Sequence, residues 1–413
     1  MSPSTTAQAW IAAGVVLVLF FFFSPVLSRD GRTFQIDEAD KISETHFLRL
    51  FVHGDVRSPE WFRYRIDRTN PPVGKYAFGC AILLHGLPLP PAPSLSASAP
   101  DGGIPATFPP AVNARYARYL VPARRGALAA TSLAAALLVW CALRLYGPLA
   151  AAGALLFFTF HDLDRAWGAT AVFDPLLMLA VIAIVLPTWM VWRDGSRVWI
   201  GAVVSGVICG LAIGVRLNGG ICLLFAIAVF FIAAFRHRSR TILYASAVLL
   251  LTALVVAILL NPYYWAPAPT AVGVPAELTR DEAMPLRILH RVAFQVRDLE
   301  TILGFLRQSH RTLDSPWRHL QFFGVTVCGS LVGFVMWLFA ALGVLLAVLR
   351  RRMTSGLHFL LLWIVIIAGG TAAWLPVPFA RYLLVAIPPL ALAGGIGIAE
   401  LADACLVAYR RAV

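Results

Sequence analysis

Apolar stretches long enough to cross a lipid bilayer recur along almost the whole of this 413-residue chain, and they leave little freedom in what it can fold into. About 18 to 20 apolar residues in helical form span the hydrocarbon. Only helices or closed barrels can satisfy their backbone polar groups there. The segments read as spans are 9–27, 126–143, 148–161, 172–192, 198–216, 219–235, 241–261, 321–349, 357–374 and 382–405. The chain is 59% hydrophobic and 13% charged, where a soluble domain carries about 25% charged residues. The expectation is an all-α polytopic membrane protein. Residues 9–27 have the look of a signal peptide, but the length of the run and the lack of a small-residue cleavage site favour a retained anchor.

The net charge of +13 has an ordinary source in such a chain. Basic residues collect at the cytoplasmic ends of spans, so the charge does not imply nucleic acid. The turns "WRDGSR" at 192–197, "RHRSR" at 236–240, "RRR" at 350–352 and "YRR" at 409–411 are assigned to the cytoplasm. With the N-terminus also inside, Asp37 lies outside. The count closes only if 73–87, a run of about 15 residues carrying Lys75 and His85, is re-entrant or juxtamembrane rather than a full span. The chain then divides into one transmembrane domain over 1–405, a first external loop at 28–125 with juxtamembrane helices, a second at 262–320, and a cytoplasmic tail at 406–413. Residues 88–113, rich in Pro, Ala and Ser, read as loop. Within 262–320, Leu286, Leu289, Ala293, Val296, Leu299 and Leu303 recur at steps of three and four, the pattern of an amphipathic helix on the membrane surface or on the catalytic loop. The six cysteines form no CxxC pair, and most lie within apolar runs, which argues against disulfides and thiolate metal sites.

Polar residues crowd four places. Just after the first span come Asp37 and Glu38, a start for the helix "ADKISETHFLRLF". A carboxylate held near the bilayer surface can take a proton from an incoming hydroxyl. Next, "DRTNPPVGK" runs from Asp67 to Lys75. Its two prolines prevent helix before Val73 and leave Lys75 in the first turn of the next helix, where lysine and free amides would both attract an anion. Third, His161, Asp162, Asp164, Arg165 and Asp174 lie between two spans, at a spacing that permits either an Asp–Arg network or part of a metal site. Fourth, Arg216 and Asn218 in "GLAIGVRLNGG", and Arg381 and Tyr382 in "WLPVPFARYLLV", stand at span ends. Three cations from separate segments at one membrane face can build an anion site; each alone also reads as a snorkelling side chain.

In their order along the chain, "DE" at 37–38, "NPPVGK" at 70–75, "FDPLL" at 173–177, "GLAIGVRLNGG" and "LPVPFARYLLVAIPPL" at 375–390 resemble the landmarks of GT-C superfamily membrane glycosyltransferases. The set is similar to that of the protein O-mannosyltransferase and lipid A aminoarabinose transferase family. The resemblance implies a GT-C fold of about 10–11 transmembrane helices and transfer from a polyprenyl-phosphate sugar donor. The acceptor would be an extracytoplasmic lipid, glycan or protein, at the outer face of a bacterial cytoplasmic (inner) membrane. It implies Asp37 as catalytic base with Glu38 beside it, Lys75 as a donor-phosphate contact, and Arg381 in the position of the family's late "RY" signature; on charge alone, Arg216 and Arg381 are the further candidates to hold the donor phosphate. Asp174 resembles the second acidic position of the fold; Asp162, Asp164, Arg165, Tyr382, Asn218 and Asp67 are supporting candidates from the residue pattern itself. Lysine after the prolines matches the mannosyltransferase pattern; aminoarabinose transferases carry it before them, where this chain has Asn70. No cofactor is called for, and a divalent metal is compatible with the pattern.

Such an enzyme would work by one-step inverting displacement. The lipid phosphate leaves as an anion that cations already stabilise, so one base suffices, unlike the two carboxylates of glycosidases. The rival readings are a transporter of a lipid-linked or anionic solute, an enzyme transferring phosphate-containing groups, and a non-enzymatic membrane scaffold.

Overall fold

The computed structural model describes residues 3–23, 38–63, 71–91, 110–195, 197–271, 274–309, 315–349, 354–374 and 379–412. Among them the secondary structure is helical throughout. In chain order the helices are α1 (Pro3–Phe23), α2 (Glu38–Ser43), α3 (His46–Val52), α4 (Glu60–Arg63), α5 (Val73–Leu84), α6 (Pro110–Tyr146), α7 (Pro148–Phe160), α8 (Asp162–Trp167) and α9 (Asp174–Asp194). They continue as α10 (Val198–Val215), α11 (Gly220–His237), α12 (Arg240–Leu259), α13 (Pro262–Trp265), α14 (Met284–Ser309), α15 (Pro316–Cys328), α16 (Leu331–Leu349), α17 (Ser355–Ala373) and α18 (Ile387–Ala412). A 3-10 turn at Ala380–Ala386 leads into α18.

Eight of the described helical segments are long and apolar enough to cross a membrane. The shorter apolar segments are Gln8–Leu19, Val73–Leu84 and Pro148–Phe160. Helix α5, with 12 residues, covers only about 18 Å, well short of the roughly 30 Å hydrocarbon. The chain is thus an integral, multi-spanning membrane protein. The C-terminal segment is its centre: 83% of its apolar window is buried, against 28% for α12. Leu243, Leu251, Leu254 and Leu259 of α12 are exposed instead, as lipid-facing side chains are.

Small residues bring the central helices together. A Cβ on Gly153 of α7 would lie 2.8 Å from the Gly395 Cα of α18, and one on Gly343 of α16 would lie 2.6 Å from the Gly397 Cα. With no hydrophobic drive between helices in lipid, such close backbone approach supplies the packing. The α6–α7 corner turns on Gly147 at φ 88°, a conformation that needs glycine, followed by Pro148 at the start of α7.

Two expectations need correction. The 321–349 run is two helices, because the chain breaks at Gly329–Ser330 and the Ser330 hydroxyl accepts the Gly333 N–H to start α16. Residues 110–113, assigned to loop, already belong to α6, whose internal Pro122 does not end it; 92–109 lie outside the described residues. Helix α14 is amphipathic as its spacing predicts, and its polar side is the one packed on the protein. Arg291, Gln295 and Asp298 are buried, while Leu286, Leu289, Val292 and Val296 are exposed. The Arg291 guanidinium bonds the Tyr263 and Ala266 carbonyls and covers the Phe62 ring at 4.8 Å. In a membrane protein the exposed apolar stripe has lipid as its natural neighbour.

Candidate functional site

Asp37 and Asp67, with Asn70, lie outside the described residues. Glu38 opens α2 and is fully buried. Its carboxylate takes the Arg124 guanidinium of α6 in a two-pronged pair, Nε to Oε1 at 2.9 Å and Nη2 to Oε2 at 2.6 Å. The Ala171 N–H donates to the same Oε1 at 2.8 Å. A carboxylate held this way is a fixture: its lone pairs are engaged and its charge is matched.

Lys75 sits in the first turn of α5 and is buried, 1% exposed. Its ammonium lies 3.4 Å from Glu44 Oε2 and 4.3 Å above the Phe47 ring. Glu44 Oε1 in turn accepts from Lys41 Nζ at 2.6 Å, and Lys41 also bonds Asp40 at 2.8 Å. Charges therefore alternate along Lys75, Glu44, Lys41 and Asp40. Burial pushes the Asp40 carboxyl up to about 6, against the pull of the Lys41 ammonium. The glycine before Lys75 is needed for contact, since a Cβ on Gly74 would stand 2.6 Å from Phe173 Cδ1.

Asp174 starts α9 and is 1% exposed. Arg216 Nη1 donates to its Oδ1 at 2.7 Å, and Arg381 Nε stands 4.0 Å from its Oδ2. Both guanidiniums lie over the Tyr382 ring, at 4.1 Å and 5.4 Å. Oδ2 of Asp174 and Oδ1 of Asn218 are buried and accept no hydrogen bond among the described residues. Among the described residues, two guanidiniums thus face one carboxylate.

The connection 168–174 joins these groups. The Thr131 hydroxyl donates to the Gly168 carbonyl; Ala171 reaches Glu38; the Phe173 ring lies under Lys41 at 5.2 Å and stacks on Phe78; Asp174 meets the two arginines. A further contact closes the ring, because a Cβ on Gly214 would fall 2.5 Å from Val73, which places the end of α10 against the start of α5. Glu38, Lys75, Arg216, Arg381, Tyr382 and Asp174 therefore share one end of the bundle. The sequence reading missed Arg124. Its only signal was a second arginine, Arg125, beside it at the head of a span, where basic residues are ordinary.

The third polar constellation does not assemble as a unit. His161 turns into the core, where its Nδ1 accepts the Leu163 N–H and its Nε2 meets the Val327 carbonyl at 3.0 Å. Asp162 and Arg165 are exposed on α8. Asp164 is buried, with Oδ1 bonded to nothing among the described residues, and burial raises its carboxyl pKa well above the ordinary value. No three His, Cys, Asp or Glu side chains among the described residues are grouped to hold a metal ion.

The helical architecture is similar to that of solved membrane proteins. ArnT from Cupriavidus metallidurans bound to undecaprenyl phosphate superposes with a TM-score of 0.57 at 17% identity, over 95% of this chain and 60% of that one. The Archaeoglobus fulgidus oligosaccharyltransferase, in complex with Zn and sulfate, superposes with a TM-score of 0.52 at 13% identity, over 97% and 51%. At these identities the likeness establishes the fold, and the chain spans little more than half the length of either protein. No protein-family model and no curated protein matches the chain.

Proposed function

We propose that the chain transfers a glycosyl group from a polyprenyl-phosphate-linked sugar, a hexose or pentose, to a lipid, glycan or protein acceptor on the extracytoplasmic side. The observation that carries this reading is the Asp174–Arg216–Arg381 cluster on Tyr382, two guanidiniums and a carboxylate gathered from three segments. A phosphate attached to a bilayer-embedded lipid needs such a site, and the fold is one whose solved example, ArnT, was captured with undecaprenyl phosphate.

The acceptor hydroxyl attacks the anomeric carbon as the bond from that carbon to the phosphate oxygen breaks. The electron pair goes to the phosphate, and the hydroxyl proton goes to the Asp37 carboxylate. The anomeric centre inverts. Arg216 and Arg381 stabilise the departing phosphate, so no acid has to protonate it. Lys75 joins them by exchanging part of its interaction with Glu44 for the donor phosphate. Glu38, locked to Arg124 and Ala171, positions the backbone next to Asp37 rather than taking the proton itself.

The test is turnover by the purified protein in lipid, with labelled polyprenyl-phosphate hexose and pentose donors. Mass spectrometry of the glycans and lipids from cells with and without the gene would identify the acceptor. Movement of the intact donor across the bilayer without cleavage would instead support the transporter reading.

A further inference from the structure

The far end of the bundle holds a cavity of about 430 Å³. Trp140 and Arg144 of α6 line one side; Trp189, Arg193 and Asp194 of α9, with the following Arg197, line the other. Two helices set its distance from the polar site. Arg124 and Arg144 stand twenty residues apart on α6, as do Asp174 and Asp194 on α9. Each interval is about 30 Å of helix, the thickness of the hydrocarbon core. The cavity and the Asp174 cluster therefore belong to opposite leaflets.

Three arginines against one aspartate make the cavity cationic. Arg193 pairs with Asp194 at 3.3 Å, and that pair is exposed and readily exchanged. Trp140 adds an independent observation. It is 8% exposed, and its indole N–H meets no acceptor among the described residues. A buried donor of this kind calls for an acceptor oxygen. Arg144 lies 5.7 Å from the Trp140 ring, and Trp10 of α1 packs on the same indole at 5.2 Å. Val185 and Met190 give the cavity an apolar wall. Cations, an indole N–H and an apolar wall at a leaflet surface match a phosphate that carries acyl chains.

We propose that this cavity binds the phosphate of an anionic phospholipid headgroup in the leaflet opposite the Asp174 cluster. The test titrates the detergent-purified full chain with phosphatidylglycerol, phosphatidylcholine and inorganic phosphate. Melting temperature and retained lipid, the latter by native mass spectrometry, are the readouts. Phosphatidylglycerol is expected to stay bound and raise the melting temperature; the other two do neither. Arg144→Gln and Trp140→Phe each weaken its retention by about 5-fold. Arg240→Gln, which removes an exposed cation at the same end that does not line the cavity, leaves retention unchanged. The phenylalanine variant keeps the ring and removes only the donor, so it reads the site even where the charge change disturbs the helix end. Equal retention of phosphatidylcholine, a shift reproduced by inorganic phosphate, or wild-type retention by both cavity variants would overturn the proposal.

Discussion

Glu38 and Arg124, separated by 86 positions in sequence, meet through both carboxylate oxygens inside the bundle. The pair ties α2 to α6, and through Ala171 to the turn that ends at Asp174.

Removing one partner of this pair should harm folding more than removing both. Arg124→Ala leaves a buried carboxylate uncompensated, a loss of about 3–5 kcal/mol for such pairs. Glu38→Gln combined with Arg124→Gln should recover part of it. Thermal unfolding in detergent measures both, and equal stability of the wild type and Arg124→Ala would contradict the pairing.

Asp37→Asn is expected to abolish sugar transfer while the melting temperature and expression stay at wild-type levels. Normal turnover of a polyprenyl-phosphate sugar by this variant would remove Asp37 from its proposed role.

Arg216→Gln should lower kcat/KM for the lipid-phosphate donor by about 10²–10³-fold, the usual loss when a charge-stabilising donor is deleted. Arg216→Lys should rescue little of it, because lysine lacks the planar fork that holds Asp174 while lying on Tyr382. Full rescue by lysine would mean that charge alone matters there.

Gly74→Ala should destabilise by about 1–3 kcal/mol through overpacking against Phe173. Combining it with Phe173→Leu, which clears the contact, should return part of the loss in an unfolding assay.

Stability should also depend on pH through Asp40. Its folded-state pKa of about 6 lies above its ordinary 3.8, so the folded state binds the proton more tightly. The resulting stabilisation is complete below about pH 4 and disappears as pH rises through about 6. Asp40→Asn should flatten this part of a melting-temperature profile; an unchanged slope would exclude Asp40 as its source.

Much of the bundle was readable from the chain because lipid enforces a simple rule, that long apolar runs become helices. The runs at 172–192, 198–216 and 241–261 match α9, α10 and α12 to within a few residues. The 321–349 run misled, since hydropathy does not register a serine that caps a new helix after a glycine. In α14 the period was legible but the buried side was not. Apolar residues mark the core only when water is the alternative, and here Arg291 finds its carbonyls and rings inside while the leucines face outward.

The sequence by itself determined that this chain is a multi-spanning helical membrane protein with acids and bases near several span ends, because composition and run length are local properties. Only the tertiary structure decided which of those charges meet. Glu38 found Arg124, Lys75 found Glu44, and Asp174 found Arg216 and Arg381, whereas Asp162 and Arg165 stayed exposed. The reason is that a buried charge must be matched by whichever partner the packing brings within reach. Here that reach is set by glycine contacts and by the short turn at 168–174, not by spacing along the chain.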